Sequence, residues 1–290
     1  MRNSIRNNLE KTVHILAGEI GSRGYVETEE LKRAGEYIKS EFSSYGYNVS
    51  IQPYDAKNGT YENIFVLKKG KKNPDKILVI GAHYDTVTGT PGADDNASGI
   101  AALLELARLL FDEPLDMSLH FTAFTLEEPP FFRSRKQGSY VYAESLHQKG
   151  TDVEGMICLE SIGYFSDKPG SQMFPLAFFR YIYPTTGNFI TFVSDFRSRG
   201  FLNRAMTGFK RGTDFPVESI SAFSIIPGVD FSDHRSFWKF GYDAFMVTDT
   251  AFYRNPNYHE AGDVPETVDY ERMTEVVVGL KAAIEGLTNY

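Results

Sequence analysis

One cysteine, one tryptophan and no long apolar run are what this 290-residue sequence most plainly lacks. The lone thiol, Cys158, rules out intramolecular disulfides, and its place beside Leu159 in an apolar strand makes it a small core residue. With no run of 18 apolar residues, no membrane-spanning helix is expected. Positive charge is scarce as well. The net charge is −8, whereas a nucleic-acid surface would need a clustered basic face. The single basic run, Lys68-Lys69-Gly70-Lys71-Lys72, sits in a turn between two strands and reads as solvated loop. Residues Met1 to Asn8 are polar and carry no export signal, so a cytoplasmic location is expected, with a trimmed secreted form as the alternative. Neither a membrane nor nucleic acid is an expected partner, and homo-oligomerisation is left open, since no interface signal stands out.

What the sequence does hold is an ordinary soluble composition, 42% hydrophobic and 23% charged, enriched in Phe and Tyr. Its length suits a single α/β domain over residues 1–290, large enough to bury about three quarters of its unfolded surface. Two amphipathic helices are predicted over 5–18 and 27–45, followed by strands over 47–55, 61–68 and 76–81. A helix from about Ala97 to Phe111 carries Ile100, Leu103, Leu104, Ala107 and Leu110 as a 3.6-residue stripe. Strands over 118–125, 155–160, 189–193 and 243–248 then alternate with helices over 138–148, 198–209 and 270–287. That alternation predicts a three-layer α/β/α sandwich around a mostly parallel, mixed sheet. The aromatic, irregular stretches 163–188 and 212–234 are expected to form a rim around a site.

Ligand-type side chains stand where these strands end. Ile77 to Ile80 runs into His83 and Asp85, and ten residues later Asp94-Asp95 precede a helix. Phe121 to Leu126 ends on Glu127-Glu128, and Met156 to Leu159 ends on Glu160. His259 follows late in the chain. In open α/β sheets the ligand crevice lies beyond the carboxyl ends of the strands, so these residues can meet. Taken singly, each has a plain structural explanation: Asp94-Asp95 as a helix cap, Glu127-Glu128 as a solvated turn. Taken together they point to divalent cations, because buried carboxylates need partners.

These residues resemble the co-catalytic di-zinc aminopeptidases, the family of bacterial leucyl aminopeptidases to which glutaminyl cyclases are related. The matching pieces are Gly81-Ala82-His83-Tyr84-Asp85, Pro91 to Gly99, Glu127-Glu128, Leu159 to Gly163, Ser232-Asp233-His234 and Tyr258 to Asp263. The resemblance implies a zinc-peptidase fold and two divalent metals, zinc first, with cobalt or manganese also compatible with the ligand types. One metal would be held by His83, Asp95 and Glu160, the other by Asp95, Glu128 and His259, with Asp95 bridging. A hydroxide shared by the metals would attack the substrate, with Glu127 as general base. Tyr258 would donate to the tetrahedral oxyanion, a packed aromatic being its plain alternative. Asp85 would hold the second imidazole nitrogen of His83. Asp94, Asp233 and His234 would support the site from outside the ligand set, and Asp249 likewise. The substrate is then a peptide with a free N-terminus, whose ammonium Glu127 and Glu160 would hold.

Two departures from the family stand out. The third ligand is Glu160, where better-known members use Asp, and the loop Pro129 to Gln137 is unusually long. That loop is either a pocket wall whose Arg133, Arg135 and Lys136 attract acidic substrates or a plain surface loop. Three rival functions remain at this level. A carboxypeptidase would use one of Arg197, Arg199, Arg204 or Arg211 for the terminal carboxylate. A glutaminyl cyclase would need an indole beside the last His, where this chain has Tyr258. A non-catalytic binding module would not need the full ligand set.

Overall fold

Strand polarity in this chain is set by what each strand must bury. In the computed structural model, which describes residues 1–57 and 59–289, eight strands form one sheet. In chain order they are β1 (Val49–Ala56), β2 (Gly59–Lys68), β3 (Asn73–His83), β4 (Met117–Phe124), β5 (Asp152–Leu159), β6 (Ile190–Ser194), β7 (Val217–Ser221) and β8 (Ala244–Thr248). Their order across the sheet is β1-β2-β4-β3-β5-β8-β6-β7. The central β4, β3, β5 and β8 run parallel. The β1–β2 hairpin joins β4 antiparallel, and at the other side β6 runs antiparallel to β8.

The parallel centre is covered on both faces, so its strands are apolar on both sides. In β3, Leu78, Ile80 and Ala82 point into the larger core, while Ile77 and Val79 point into the smaller one. β5 and β8 repeat the alternation, with Ile157, Leu159, Phe245 and Val247 on the first face and Met156, Cys158, Ala244 and Met246 on the second. Helices α1 (Arg2–Val13), α2 (Thr28–Ser44), α3 (Gly99–Leu110), α5 (Arg199–Gly212) and α7 (Tyr270–Thr288) fill the first layer. The second is built by α4 (Gly138–Gln148) and α6 (His234–Lys239). This is the expected three-layer sandwich.

Details differ from the sequence reading. Helix α3 is buried nearly all round, with Ala101, Ala102 and Leu106 as inaccessible as the predicted stripe, because α1 and α7 pack over its outer side. The first helix ends at Val13 and continues as a wider helical turn to Ile20. β7 lies in a stretch expected to be irregular, and α6 begins at the end of that stretch where no helix was predicted; both are short, with β7 half-buried along its length at the sheet edge. None of the helices of the described residues is long and apolar enough to cross a membrane.

Register brings the strand ends to one edge. His83 pairs with Phe124, Gly81 with Cys158 and Leu159 with Val247, so the residues following β3, β4, β5 and β8 emerge together.

Candidate active site

His83 closes β3 and is 1% exposed. Its Nδ1 lies 3.1 Å from the Asp85 carbonyl oxygen, while its Nε2 sits 3.2 Å from Glu160 Oε2 and 3.3 Å from Asp95 Oδ1. On the other side of Asp95, His259 Nε2 is 3.0 Å from Oδ2 and 3.3 Å from Glu128 Oε1. Asp95 therefore stands between two imidazoles, one oxygen toward each. Both of its oxygens, and His259 Nε2, are buried with no well-aligned hydrogen bond. His83, Asp95 and Glu160 bring three donor atoms within 4.8 Å of one another; so do Asp95, Glu128 and His259, and so do His83, Glu127 and Glu128.

The local backbone explains how Asp95 gets there. Gly92 adopts φ +63°, and a Cβ at that position would lie 2.4 Å from the Asp95 carbonyl oxygen, so only glycine makes this turn. Asp263 then accepts hydrogen bonds from the Asp94 and Asp95 amides at 2.9 and 3.0 Å. Arg23, fully buried, clamps the same segment: its guanidinium donates to the carbonyls of Tyr84 (2.7 Å), Pro91 (2.6 Å) and Gly92 (2.9 Å). Burial lowers its pKa to about 10, with Asp263 and Asp85 opposing that fall.

Asp85 does more than the sequence suggested. Its carboxylate is 3.6 Å from His83 Nδ1, and its backbone oxygen is the closer partner of the imidazole. The two carboxylate oxygens instead accept from the amides of Glu127 and Glu128, each at 3.1 Å. One Asp thus orients both acidic side chains. Glu160 is held by Ser232 Oγ at 2.6 Å and Ser161 Oγ at 3.2 Å. Glu127 receives a hydrogen bond from Gln137 Nε2 at 3.2 Å, and the same nitrogen reaches Asp233 Oδ1 at 3.3 Å. Gln137, Asp263, Arg23 and Ser232 had no assigned role in the sequence reading; Ser232 and Asp263 stand in the matching stretches, while nothing in the local pattern of Gln137 or Arg23 separates them from ordinary loop polar residues.

The remaining candidates divide. Asp94 faces away from Asp95: its oxygens accept from the Gly163 amide (2.8 Å) and the Asn255 side chain (2.9 Å), tying three loops together. Asp249 accepts from the Tyr164 and Ala251 amides. Asp233 lies beside Gln137, while the His234 ring bonds to the Val229 carbonyl at 2.8 Å and packs edge-on against Trp238. Tyr258 stacks on His259, with ring centroids 3.8 Å apart. In the long loop, Arg133 pairs with Asp230 between the Phe132 and Phe231 rings, and Lys136 donates to the Asp55 carbonyl. Phe131 packs against Tyr25 and Tyr61. Two of its three cations are thus already engaged.

Charge is crowded here. Burial, reinforced by Asp95, raises the Glu128 pKa to about 7. Burial lifts Glu127 well above the carboxylate range, with His83 opposing and Glu128 adding to it. For Asp95 burial pushes the same way, but the adjacent His259 and His83 outweigh it and hold the carboxyl below its usual range. His259 shows the converse: burial would lower it, yet Asp95 and Glu128 raise its pKa to about 10. The cluster is a carboxylate-rich interior that calls for positive charge.

Next to it lies a cleft with walls dominated by apolar side chains, which Glu160 and Tyr258 also line. Its lining comes from 172–183 and 226–231, within the stretches expected to form a rim, and from one face of β6, β7 and β8.

The sequence profile of the family described as Peptidase family M28 matches residues 63–282. Uncharacterized protein YfbL of Escherichia coli (strain K12) is 40% identical over 287 residues, covering 96% of this chain and 87% of that protein. Aminopeptidase YwaD of Bacillus subtilis (strain 168) is 43% identical over 94 residues, 32% of this chain and 19% of that protein. Among solved structures, BSAP, a zinc aminopeptidase from Bacillus subtilis, superposes with a TM-score of 0.78 at 16% identity, over 98% of this chain and 95% of that one. This chain belongs to peptidase family M28.

Proposed function

We propose that this chain is a metal-dependent aminopeptidase that removes N-terminal residues from peptides, with a dinuclear zinc centre bridged by Asp95. The observation that carries this reading is Asp95 itself, whose two buried oxygens face two different imidazoles at 3.3 and 3.0 Å and have no hydrogen-bond partner. A buried carboxylate left so costs several kcal/mol unless a cation serves it. Imidazole nitrogens and carboxylate oxygens without thiolate suit zinc, and cobalt or manganese would also fit. His83, Asp95 and Glu160 would hold one ion, and Asp95, Glu128 and His259 the other. When bound, the ions supply Lewis acidity that polarises the scissile carbonyl and lowers the pKa of the attacking water.

The rest of the work falls to the chain. Glu127, aimed by Asp85 and Gln137, takes a proton from the attacking water and passes it to the leaving amine. Tyr258 lines the cleft, and burial keeps its phenol protonated, so it can donate to the developing oxyanion. Glu160, which also lines the cleft, and Glu127 offer the substrate ammonium negative charge, which an internal or acylated residue cannot use.

The rival readings lose support at specific residues. Of the arginines a carboxypeptidase would need, Arg204 pairs with Glu154 and Arg197 with Tyr242 and Asp243, at the sheet edge opposite the cluster. None of the four lines the cleft. The only indole, Trp238, donates to the Ala244 carbonyl and sits against His234, outside the cleft, where a cyclase would need it inside. A direct test compares a free peptide with its N-acetylated twin, before and after chelation. Cleavage of the free peptide alone, abolished by chelation and restored by zinc, is the expected result; equal cleavage of both would overturn the aminopeptidase reading.

A further inference from the structure

The cleft beside Glu160 is built on a regular piece of sheet. β8, β6 and β7 present alternate residues to it, and register sorts them into two rows. Met246, Val193 and Ile220 form an apolar row; Thr248, Thr191 and Glu218 form the next, continuing the level of Glu160 at the end of β5. Phe174, Phe179 and Tyr183 face these rows, with Tyr183 stacked on Phe174 and edge-on to Phe179.

Two polar groups in this apolar setting lack partners. Thr191 Oγ1 is buried without a hydrogen bond. Glu218, half-buried, makes no hydrogen bond or ion pair among the described residues, although Lys210 on α5 is near enough to moderate its charge. Its carboxylate is also close to Tyr183, whose phenol is raised by burial and, next, by Glu218. An unpaired carboxylate at the end of an aromatic, apolar channel complements a cation on an apolar stem: the rings cradle the charge and the carboxylate neutralises it.

Resting on the aminopeptidase reading, we infer that this cleft receives the side chain of the substrate's N-terminal residue and selects arginine or lysine, with Glu218 as the counter-charge and Thr191 as a second polar anchor. Length enforces the choice. Three strand spacings of about 4.8 Å separate the level of Glu160 from Glu218, roughly 14 Å between backbones. A leucine side chain falls well short of that distance; a long cationic side chain, met part-way by the Glu218 carboxylate, can close it.

The test measures kcat/KM for peptides of one sequence beginning with Arg, Lys, Leu, Phe or Tyr, on the zinc-loaded full chain and on Glu218→Gln and Thr191→Val. Calorimetric binding of free L-arginine and L-leucine runs in parallel. Arg and Lys should lead, and Glu218→Gln should lower the Arg-to-Leu ratio roughly 30-fold, as loss of one partner of a desolvated charge pair does. Thr191→Val should lower it by a smaller factor. A merely structural role for Glu218 would depress all substrates together, and that result, or Leu and Phe leading in the wild type, overturns the inference. If no peptide is cleaved, the hydrolase reading falls and calorimetry decides this one. Arginine binding tighter than leucine, with the difference lost in Glu218→Gln, then supports it; equal binding overturns it.

Discussion

On the β3–β4–β5 side of the cleft, the charged side chains around Asp95 are held by other polar groups, while Asp95 itself faces the two imidazoles without a hydrogen bond. Asp85 bonds two amides, Asp263 two more, and Gln137 spans Glu127 and Asp233. Over β8–β6–β7 the walls are aromatic and aliphatic, and Phe178, Tyr181, Phe223 and Phe252 in the surrounding loops remain exposed. The first side is over-determined, as chemistry that depends on sub-ångström placement demands. The second is shaped mostly by packing, which tolerates exchange of one side chain for another, with Glu218 and Thr191 as its unpaired polar groups. On the reading proposed above, one region would serve every substrate and the other would distinguish among them.

Substitutions should separate the two. Glu127→Gln, on the polar side, should lower kcat by about 10²–10⁴-fold for every peptide while metal content stays unchanged, checked by steady-state kinetics beside elemental analysis. Asp85→Asn weakens the acceptor that aims Glu127 and Glu128. We expect a loss of about 10–100-fold in metal affinity or activity, read by competition with a chelator. Phe179→Ala, on the apolar side, should cut kcat/KM about tenfold for peptides with large first residues and leave metal affinity untouched. Uniform losses across substrates in that variant would erase the distinction between the regions.

The smallest effect lies outside both. Burial, with Lys149 adding to it, lowers the pKa of His120 on β4 to about 4, so the unfolded chain, titrating near 6.5, takes up its proton first. The stability His120 contributes is therefore complete above about pH 6.5 and is lost as pH falls toward 4. His120→Gln should flatten the acid limb of a thermal-unfolding series by on the order of 1 kcal/mol, with activity at neutral pH unaltered.

The layered fold was legible in the alternation of elements, and the meeting of His83, Asp95, Glu128, Glu160 and His259 in ligand-type residues at strand ends taken together with the family resemblance that picked them out. Asp85 shows where that legibility stops: its position was readable, but whether its carboxylate or its carbonyl met His83 depends on a backbone turn. His234 likewise sits in a matching motif, yet its ring turns to Val229 and Trp238. Gln137 and Asp263 reach the cluster only through tertiary contacts across 10 residues (Gln137 to Glu127) and 168 residues (Asp263 to Asp95), which no local periodicity encodes. β7 was missed because a five-residue, half-buried edge strand lacks a buried face to set an alternation.

The bridging role of Asp95 is tested most directly by metal stoichiometry, measured on the purified wild type and on Asp95→Asn after zinc loading and removal of free ion. We expect about two zinc ions per wild-type chain and fewer than one in Asp95→Asn, because both sites share that carboxylate. One ion per wild-type chain, or two retained without Asp95, would contradict a centre bridged by this residue.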